Sequence, residues 1–242
     1  LHSGHYGGAV YNPINALCDM IHSLIDEKGH ITVKGFYDDV VELSAEDRAL
    51  LARAPFDLEE FKRGIGVDDV KGEEGYTTLE RTGIRPCLDV CGIWGGYTGS
   101  GAKTVLPSKA TAKISMRLVP NQMCDKIAEL FTKHIYAIAP SGVKVKVTNH
   151  HGGNGFLMPI SSPAYKAASK AMGEVYGIEP VPSRGGGSIP ILADLQNILG
   201  VNPLLMGFGL ERDTIHSPNE SYLLSQFEKG MFSIAKFYEY YE

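Results

Sequence analysis

The spacing of apolar residues predicts alternating helices and strands in the first part of the chain. Apolar side chains recur at helical intervals in residues 12–28 and 121–138, so each segment predicts an amphipathic helix. Residues 87–94 and 110–119 are rich in apolar positions that alternate with others, a pattern typical of strands. Val and Lys alternate in residues 143–148, which predicts an exposed strand with one buried face.

Two polar stretches separate these elements. Residues 44–63 are charged and periodic, which predicts one or two short surface helices. Residues 64–86 are acidic and rich in Gly, which predicts a loop with room for one short helix. The order helix, strand, strand, helix, strand is that of a ferredoxin-like α+β sandwich without its first strand. Residues 1–154 are therefore expected to form one domain of this kind.

A second unit is expected over residues 155–242, where the composition changes. Helices are predicted at 163–176, 189–199 and 222–241, and short strands at 180–184 and 203–208. This alternation is typical of an α/β layer with a mainly parallel sheet. The last helix is expected to bury one apolar face, made of Leu223, Leu224, Phe227, Met231, Ile234 and Tyr238.

Composition and charge exclude some classes of partner. A net charge of -5 argues against nucleic-acid and anionic-membrane surfaces, which favour basic patches. No apolar run approaches the roughly 20 residues that span a bilayer. The acidic pairs Glu59–Glu60 and Glu73–Glu74 are expected to be solvated surface charge, and the four cysteines to be reduced, buried thiols.

Two single residues have patterns that allow a chemical role. His216 lies in a loop between a predicted strand and a helix, where a neutral imidazole can bind zinc and Asp213 or Glu220 can orient it. From spacing alone, a lone loop histidine is more often solvated or hydrogen-bonded. Arg117 lies in a predicted strand, where burial of an unpaired guanidinium is costly. It pairs either with a protein carboxylate or with a substrate carboxylate, and the pattern does not decide.

A glycine-rich segment and a histidine pair are weaker signals. Residues 183–190 join a predicted strand to a helix, where glycines let the backbone approach a bound anion. A tight strand-to-helix turn explains the same glycines. His150 and His151 follow the predicted strand 143–148, and adjacent strand residues face opposite ways, so the two do not readily share a metal ion.

Four motifs resemble those of the di-zinc aminoacylase/carboxypeptidase-type metallopeptidases, and of their carnosinase-like dipeptidases in particular. In chain order they are LHSGHYGG at 1–8, GAKTVLP with ISMRLVP between 101 and 120, GGSIP at 186–190 and HSPNE at 216–220. The resemblance implies a lid (dimerisation) domain over residues 1–154. It implies that residues 155–242 are the C-terminal portion of an α/β catalytic domain. It also implies that the chain begins within a longer enzyme, whose other metal ligands lie upstream.

The resemblance implies roles for residues near the catalytic domain. It implies that His216 is a metal ligand that also lies at the substrate, and that Arg117 binds the substrate's C-terminal carboxylate. It implies that Gly186, Gly187 and Ser188 contact the substrate. Carnosinase-like enzymes often have a Glu before this Gly pair, where the present chain has Gly185, and that departure affects the expected specificity.

Three residues are implied to act from the lid. The family's equivalent of His2 reaches into the neighbouring subunit's active site and polarises the scissile carbonyl. Thr104 resembles a second contact that crosses to the partner subunit's substrate. His151 resembles a position near the substrate, with a hinge residue as the equal alternative.

The implied reaction is zinc-dependent hydrolysis of an amide bond in dipeptides or N-acyl amino acids that have a free carboxylate. The complete enzyme is expected to hold two zinc ions, to be a homodimer through the lid, and to be cytoplasmic. The chain by itself is expected to be inactive and to bind zinc weakly or not at all. The alternatives are a non-catalytic lid and dimerisation fragment, and a deacylase or desuccinylase of the same family.

Overall fold

The computed structural model describes residues 1–185 and 189–241. Along the chain the elements are α1 (Ser3–Tyr6), α2 (Pro13–His22), α3 (Ala45–Leu51), α4 (Leu58–Ile65), α5 (Thr78–Gly83), β1 (Cys87–Gly95), β2 (Ala110–Arg117), α6 (Cys124–Ile138), α7 (Pro163–Tyr176), α8 (Ile191–Leu199), a 3₁₀ turn (Glu211–Asp213) and α9 (Leu224–Tyr240). This content confirms an α+β fold. Among the described residues, no helix combines the length and apolarity that crossing a membrane requires.

The described residues divide into two compact units. The first contains Leu1–Glu42, Phe56–Phe156 and Arg184–Pro190, and the second contains Leu43–Pro55, Leu157–Ser183 and Ile191–Glu242. Each unit therefore draws on separate stretches of the chain, so a cut at one position does not separate them.

The start of α2 was predicted correctly, but its end was not. The Asn12 side chain accepts a hydrogen bond from the Ile14 N–H at 2.9 Å, and Pro13 occupies the first helical position. The helix stops at His22 rather than continuing to residue 28. The reason is a competing turn, in which the Asp26 carboxylate accepts hydrogen bonds from the backbone N–H groups of residues 28 and 30 at 2.9 and 2.8 Å.

The sheet of the first unit is an antiparallel pair. Strand β1 pairs with β2 so that Cys87 lies opposite Arg117 and Gly95 lies opposite Ala110, with a bulge between Val90 and Gly92. The prediction of a strand at 143–148 is wrong, since these residues are all described and none of them pairs with a neighbouring strand. Its valines are half-buried and its lysines exposed, so the alternation reports packing against the core without backbone pairing.

One apolar core holds the first unit together. Its members come from α2, the turn after it, β1 and α6, and Leu24 and Phe36 are 0% and 1% exposed. The cluster consists of Met20, Leu24, Ile31, Val33, Phe36, Leu88, Ile127, Phe131 and Ile135. Burial of one face of the helices and the sheet against this cluster supplies the main stabilisation of the unit.

Beside the core lies a buried ion pair that the sequence did not predict. The Arg85 guanidinium donates two hydrogen bonds to the Glu73 carboxylate, at 2.7 and 2.6 Å, and a third to Glu42 at 2.7 Å. Burial alone would lower the pKa of Arg85, but the hydrogen bonds to Glu73 and Glu42 outweigh it and raise that pKa above its usual range. Glu73 is 8% exposed, so the expectation that this glutamate is solvated was wrong.

Aromatic rings enclose the same ion pair. The Arg85 guanidinium lies 5.2 Å from the Tyr37 ring centroid and 4.4 Å from that of Tyr76. His30 stacks on Tyr37 at 4.0 Å, and its Nε2 lies 3.2 Å from Glu73 Oε1. Burial raises the pKa of Tyr37 to about 12. The network ties the turn after α2 to the segment that leads into β1.

In the second unit, α7 and α9 pack against each other through small residues. Ala167, Ala168 and Ala171 are buried on α7, and Gly230 and Ser233 are buried on α9. The prediction that the large apolar side chains of α9 are buried was therefore wrong. Five of them are exposed, with the following fractions: Leu224 80%, Phe227 54%, Met231 50%, Ile234 46% and Tyr238 71%.

The other elements of the second unit are helical where they are regular. The helix predicted at 163–176 is confirmed as α7, and the helix predicted at 189–199 begins two residues later as α8. The short strands predicted at 180–184 and 203–208 are not formed in this structure, where both segments are described and irregular. Apolar composition alone did not distinguish an irregular segment from a strand with a partner.

Removal of one charge from the Arg85–Glu73 ion pair is expected to destabilise the first unit. Glu73→Gln keeps the side chain's shape but removes the charge opposite Arg85, which leaves a buried guanidinium incompletely paired. We expect the free energy of unfolding of the first unit to fall by about 3 kcal/mol. The fluorescence of Trp94, the chain's single tryptophan, reports on this unit during urea unfolding.

Glu74→Gln is the matched control because Glu74 is the exposed neighbour. It is expected to change the free energy of unfolding by less than about 0.5 kcal/mol. Equal losses in the two variants would show that the buried pair contributes nothing specific.

Candidate functional site

The start of the chain forms a short antiparallel pairing with residues 104–106, which we name the N-terminal bridge. The Leu1 amino group donates to the Leu106 carbonyl at 2.9 Å, and the Leu106 N–H donates to the Leu1 carbonyl at 2.8 Å. The Ser3 N–H donates to the Thr104 carbonyl at 3.2 Å. His2 lies opposite Val105 in this pairing. The bridge therefore brings His2 and Thr104, two of the predicted site residues, onto adjacent strands of backbone.

The His2 side chain is held by its own backbone neighbours. Its Nδ1 accepts a hydrogen bond from the Gly4 N–H at 3.0 Å, which caps the start of α1. The ring also meets the His5 ring edge-on, with centroids 4.9 Å apart. The residue is exposed, so the imidazole is oriented but open to a partner. Sequence reasoning missed Gly4, whose contact with His2 depends on the orientation of the imidazole ring.

Arg117 ends β2 and is exposed to solvent. The guanidinium is therefore not buried, and the cost of burying it without a partner does not arise. Within the part of the chain that the structure describes, no protein carboxylate forms an ion pair with it. Of the two interpretations of Arg117, the described contacts favour a guanidinium that is available to an external carboxylate.

His216 lies in a tight loop with unusual backbone angles. Thr214, His216 and Asn219 have φ values of 50°, 61° and 63°, in the left-handed region that non-glycine residues seldom adopt. The Ser217 N–H donates to the Thr214 carbonyl at 2.9 Å, and the Thr214 hydroxyl donates to the Asn219 carbonyl at 3.2 Å. His216 itself is exposed. Strained loops of this kind are concentrated at functional sites.

A buried aspartate anchors that loop. Asp213 is 1% exposed, its Oδ2 accepts a hydrogen bond from the Leu210 N–H at 2.7 Å, and its carbonyl accepts one from the Ser221 N–H at 3.0 Å. Its other carboxylate oxygen is buried and has no hydrogen-bond partner among the described residues. In the same described set, neither Asp213 nor Glu220 is hydrogen-bonded to the His216 ring. Asp213 therefore orders the loop that presents His216.

The remaining predicted residues are less informative. Gly186, Gly187 and Ser188 lie outside the described residues. His151 is exposed and belongs to an irregular segment, so the argument that His150 and His151 face opposite sides of a strand does not apply to this structure.

The described residues do not complete a metal site. Among residues 1–185 and 189–241, no group of three or more His, Cys, Asp or Glu side chains is arranged to hold a metal ion. A catalytic zinc ion takes about three protein ligands. His216 by itself does not fit that requirement, so any metal bound there needs ligands from elsewhere.

Comparison with known proteins agrees with these features. The peptidase dimerisation domain family matches residues 1–143. A Cys-Gly metallodipeptidase of Schizosaccharomyces pombe is 33% identical over 96% of this chain and 49% of its own length. The human Beta-Ala-His dipeptidase is 32% identical over 90% of this chain and 44% of its own length.

Solved structures give the same result. An M20 family metallo-carboxypeptidase from Sulfolobus solfataricus superposes with a TM-score of 0.87 and 31% identity, over 100% of this chain and 55% of its own. The chain spans about half the length of the curated relatives it matches. Those metallopeptidase relatives imply a metal cofactor. The resemblance drawn from the four motifs is thus confirmed: the chain belongs to the M20 metallopeptidases, and residues 1–143 carry their peptidase dimerisation domain.

Proposed function

We propose that this chain works within a zinc-dependent enzyme that hydrolyses the amide bond of dipeptides or N-acyl amino acids with a free carboxylate. The observation that carries the proposal is Arg117, an exposed guanidinium without a carboxylate partner among the described residues. Relatives named Cys-Gly and Beta-Ala-His dipeptidases support it, since both named dipeptides end in a free carboxylate. A cytoplasmic location is part of the same proposal.

The chain's own residues divide the work of substrate binding. Arg117 binds the terminal carboxylate through its planar guanidinium, whose two parallel N–H groups match the two carboxylate oxygens. His2 donates a hydrogen bond to the scissile carbonyl, and Thr104, across the N-terminal bridge, makes a second substrate contact. His151, Gly186, Gly187 and Ser188 lie near the substrate in this proposal.

We assign His216 as one ligand of a zinc ion, of which the complete enzyme holds two. Bound zinc would supply an activated water for hydrolysis. The described residues do not by themselves fit such an ion. The proposal therefore places the other ligands outside them and assigns this chain no step at the metal. The exposure of His216 and the fixed loop around it support this assignment.

The proposed assembly is a homodimer through the first unit, with His2 and Thr104 acting on the partner subunit's substrate. The name of the matching family supports dimerisation. Val90, Ile93 and Trp94 support it too, because they expose apolar surface along β1 at 38%, 52% and 50%. An exposed apolar strand fits the self-complementary contact of a two-fold dimer.

The second unit is proposed to be part of a larger catalytic domain. The exposed apolar side chains of α9 support this, since large exposed apolar patches mark surfaces that another polypeptide covers. For the chain by itself, the lack of a three-ligand group among its described residues favours the second candidate, a non-catalytic lid and dimerisation fragment.

The first prediction of this proposal concerns zinc. The 242-residue chain, loaded with zinc and then dialysed, is expected to retain well below one zinc per chain by mass spectrometry of its metal content, because one histidine does not hold the ion. His216→Ala should lower the retained zinc further. His22→Ala, which removes another exposed histidine, should not. One or more zinc ions per chain after dialysis would contradict the proposed ligand set.

The second prediction concerns the carboxylate contact in the complete enzyme. Arg117→Ala should lower kcat/KM for dipeptides by a factor that corresponds to about 2–4 kcal/mol of lost transition-state stabilisation, because a charge-assisted bidentate contact is lost. The same substitution should lower kcat/KM far less for C-terminally amidated dipeptides, which have no terminal carboxylate. Lys113→Ala, which removes an exposed cation from the same strand, is the matched control. Equal losses for free and amidated substrates would rule out the proposed contact.

A further inference from the structure

The hydrogen bond between His2 and Gly4 has a chemical consequence for the imidazole. His2 Nδ1 lies 3.0 Å from the Gly4 backbone nitrogen, which carries a hydrogen and has no lone pair to offer. The backbone N–H can only donate, so Nδ1 must accept. A neutral imidazole has one N–H, and it must then be at Nε2.

We propose that Gly4 is a positioning residue that fixes neutral His2 as the Nε2–H tautomer, so that the ring presents a hydrogen-bond donor at Nε2. The tautomer itself does not depend on the proposed function. Only the identity of the group that accepts a hydrogen bond from Nε2 rests on it. It assigns Gly4 a role that depends on its backbone N–H and on its missing side chain.

The missing side chain of Gly4 is required because the ring lies against its Cα. A Cβ added at Gly4 would lie 2.8 Å from His2 Cε1 and 3.1 Å from Nδ1. The ring cannot remain in place beside any other residue, because real Cβ contacts are longer than 2.8 Å. Any substitution must therefore turn the imidazole away or lengthen the hydrogen bond to Nδ1.

The backbone on both sides holds the ring in this geometry. The N-terminal bridge fixes the residues before and after His2 against residues 104–106. The N–H groups of His5 and Tyr6 donate to the His2 carbonyl at 3.2 and 3.1 Å. The ring's orientation thus follows from backbone contacts, with the His5 ring packed edge-on beside it.

This tautomer decides which chemistry His2 can perform. With its proton on Nε2, the ring can donate to a carbonyl oxygen and to the negative charge that develops there during hydrolysis. It cannot act as a general base through Nε2, because that atom has no free lone pair. The proton stays on Nε2 throughout, and no bond forms or breaks at the ring.

Nuclear magnetic resonance of the intact chain with ¹⁵N-labelled histidine and glycine tests the inference directly. At about pH 8, above the reference pKa of about 6.5 for a free imidazole, we expect a scalar coupling across the hydrogen bond between the Gly4 amide nitrogen and His2 Nδ1. The two ring nitrogens of His2 should show a fixed Nε2–H pattern. Those of exposed His22, in the same spectrum, should show the average of two tautomers. His2→Gln identifies the signals.

Two variants at Gly4 test its role. Gly4→Ala keeps the N–H but introduces the Cβ, and Gly4→Pro removes the N–H as well, which the first turn of a helix tolerates. Both should abolish the coupling and move the His2 nitrogens toward the averaged values of His22. Gly64→Ala is the control, since a Cβ there meets no atom within 4 Å. Trp94 fluorescence checks that every variant is folded.

Two results would overturn the inference. One is a His2 ring that shows the averaged pattern of His22 in the unaltered chain, and the other is a His2 ring with its proton on Nδ1. The proposed function has its own measurement in the complete enzyme, where Gly4→Ala should lower kcat at least about 10-fold with little change in KM. A fixed tautomer together with an unchanged kcat would count against the catalytic role of His2 and leave the tautomer established.

Discussion

The apolar core between the β1–β2 sheet and α6 is the constraint on which the candidate site depends. Leu24, Phe36 and Ile127 are 0%, 1% and 2% exposed, and Leu88 of β1 is buried in the same cluster. Strand β1 pairs with β2 in a register that places Cys87 opposite Arg117. That register ends β2 at Arg117 and begins it at Ala110, a few residues after the segment that receives the N-terminal bridge. The core therefore supports both the candidate carboxylate contact and the backbone that holds His2.

The two units bury their large apolar side chains to different extents. The first unit buries its large apolar side chains and pairs its buried Arg85 with Glu73. In the second unit the buried residues of α7 and α9 are small, while the large side chains of α9 face outward. Each Å² of exposed apolar surface forgoes about 25 cal/mol of stabilisation. Another polypeptide surface that covered α9 would recover that stabilisation, in line with a larger catalytic domain.

Local patterns predicted the elements that local interactions determine. The Asn12 cap and Pro13 fixed the start of α2, and the limits of α7 follow from the Ser162 cap and from Gly177, which has a φ of 74°. The alternation of apolar residues predicted strands β1 and β2 correctly, because the two segments pair with each other in the fold. Residues 143–148 have the same alternation without a backbone partner, which a pattern along one segment does not reveal.

Sequence patterns did not predict the features that depend on how the chain folds. Glu73 stands in an acidic pair that looks solvated, and only the fold brings Arg85 to it. The apolar stripe of α9 correctly indicated a helix, but not which of its faces meets α7. For the site, the resemblance supplied the proposed roles of His2, Thr104 and His216. The contact between His2 and Gly4 depends on a ring orientation that no residue pattern specifies.

In the proposed dimer, His2 acts on the site of the partner subunit, and that site contains the partner's own metal-binding histidine. The most direct test mixes two inactive forms of the complete enzyme, His2→Ala and His216→Ala, and lets their subunits exchange. Random exchange makes about half of the dimers mixed, and each mixed dimer has one site with both histidines, so about one quarter of the unaltered activity should return. A mixture that stays inactive, although mass spectrometry shows mixed dimers, would contradict the shared site.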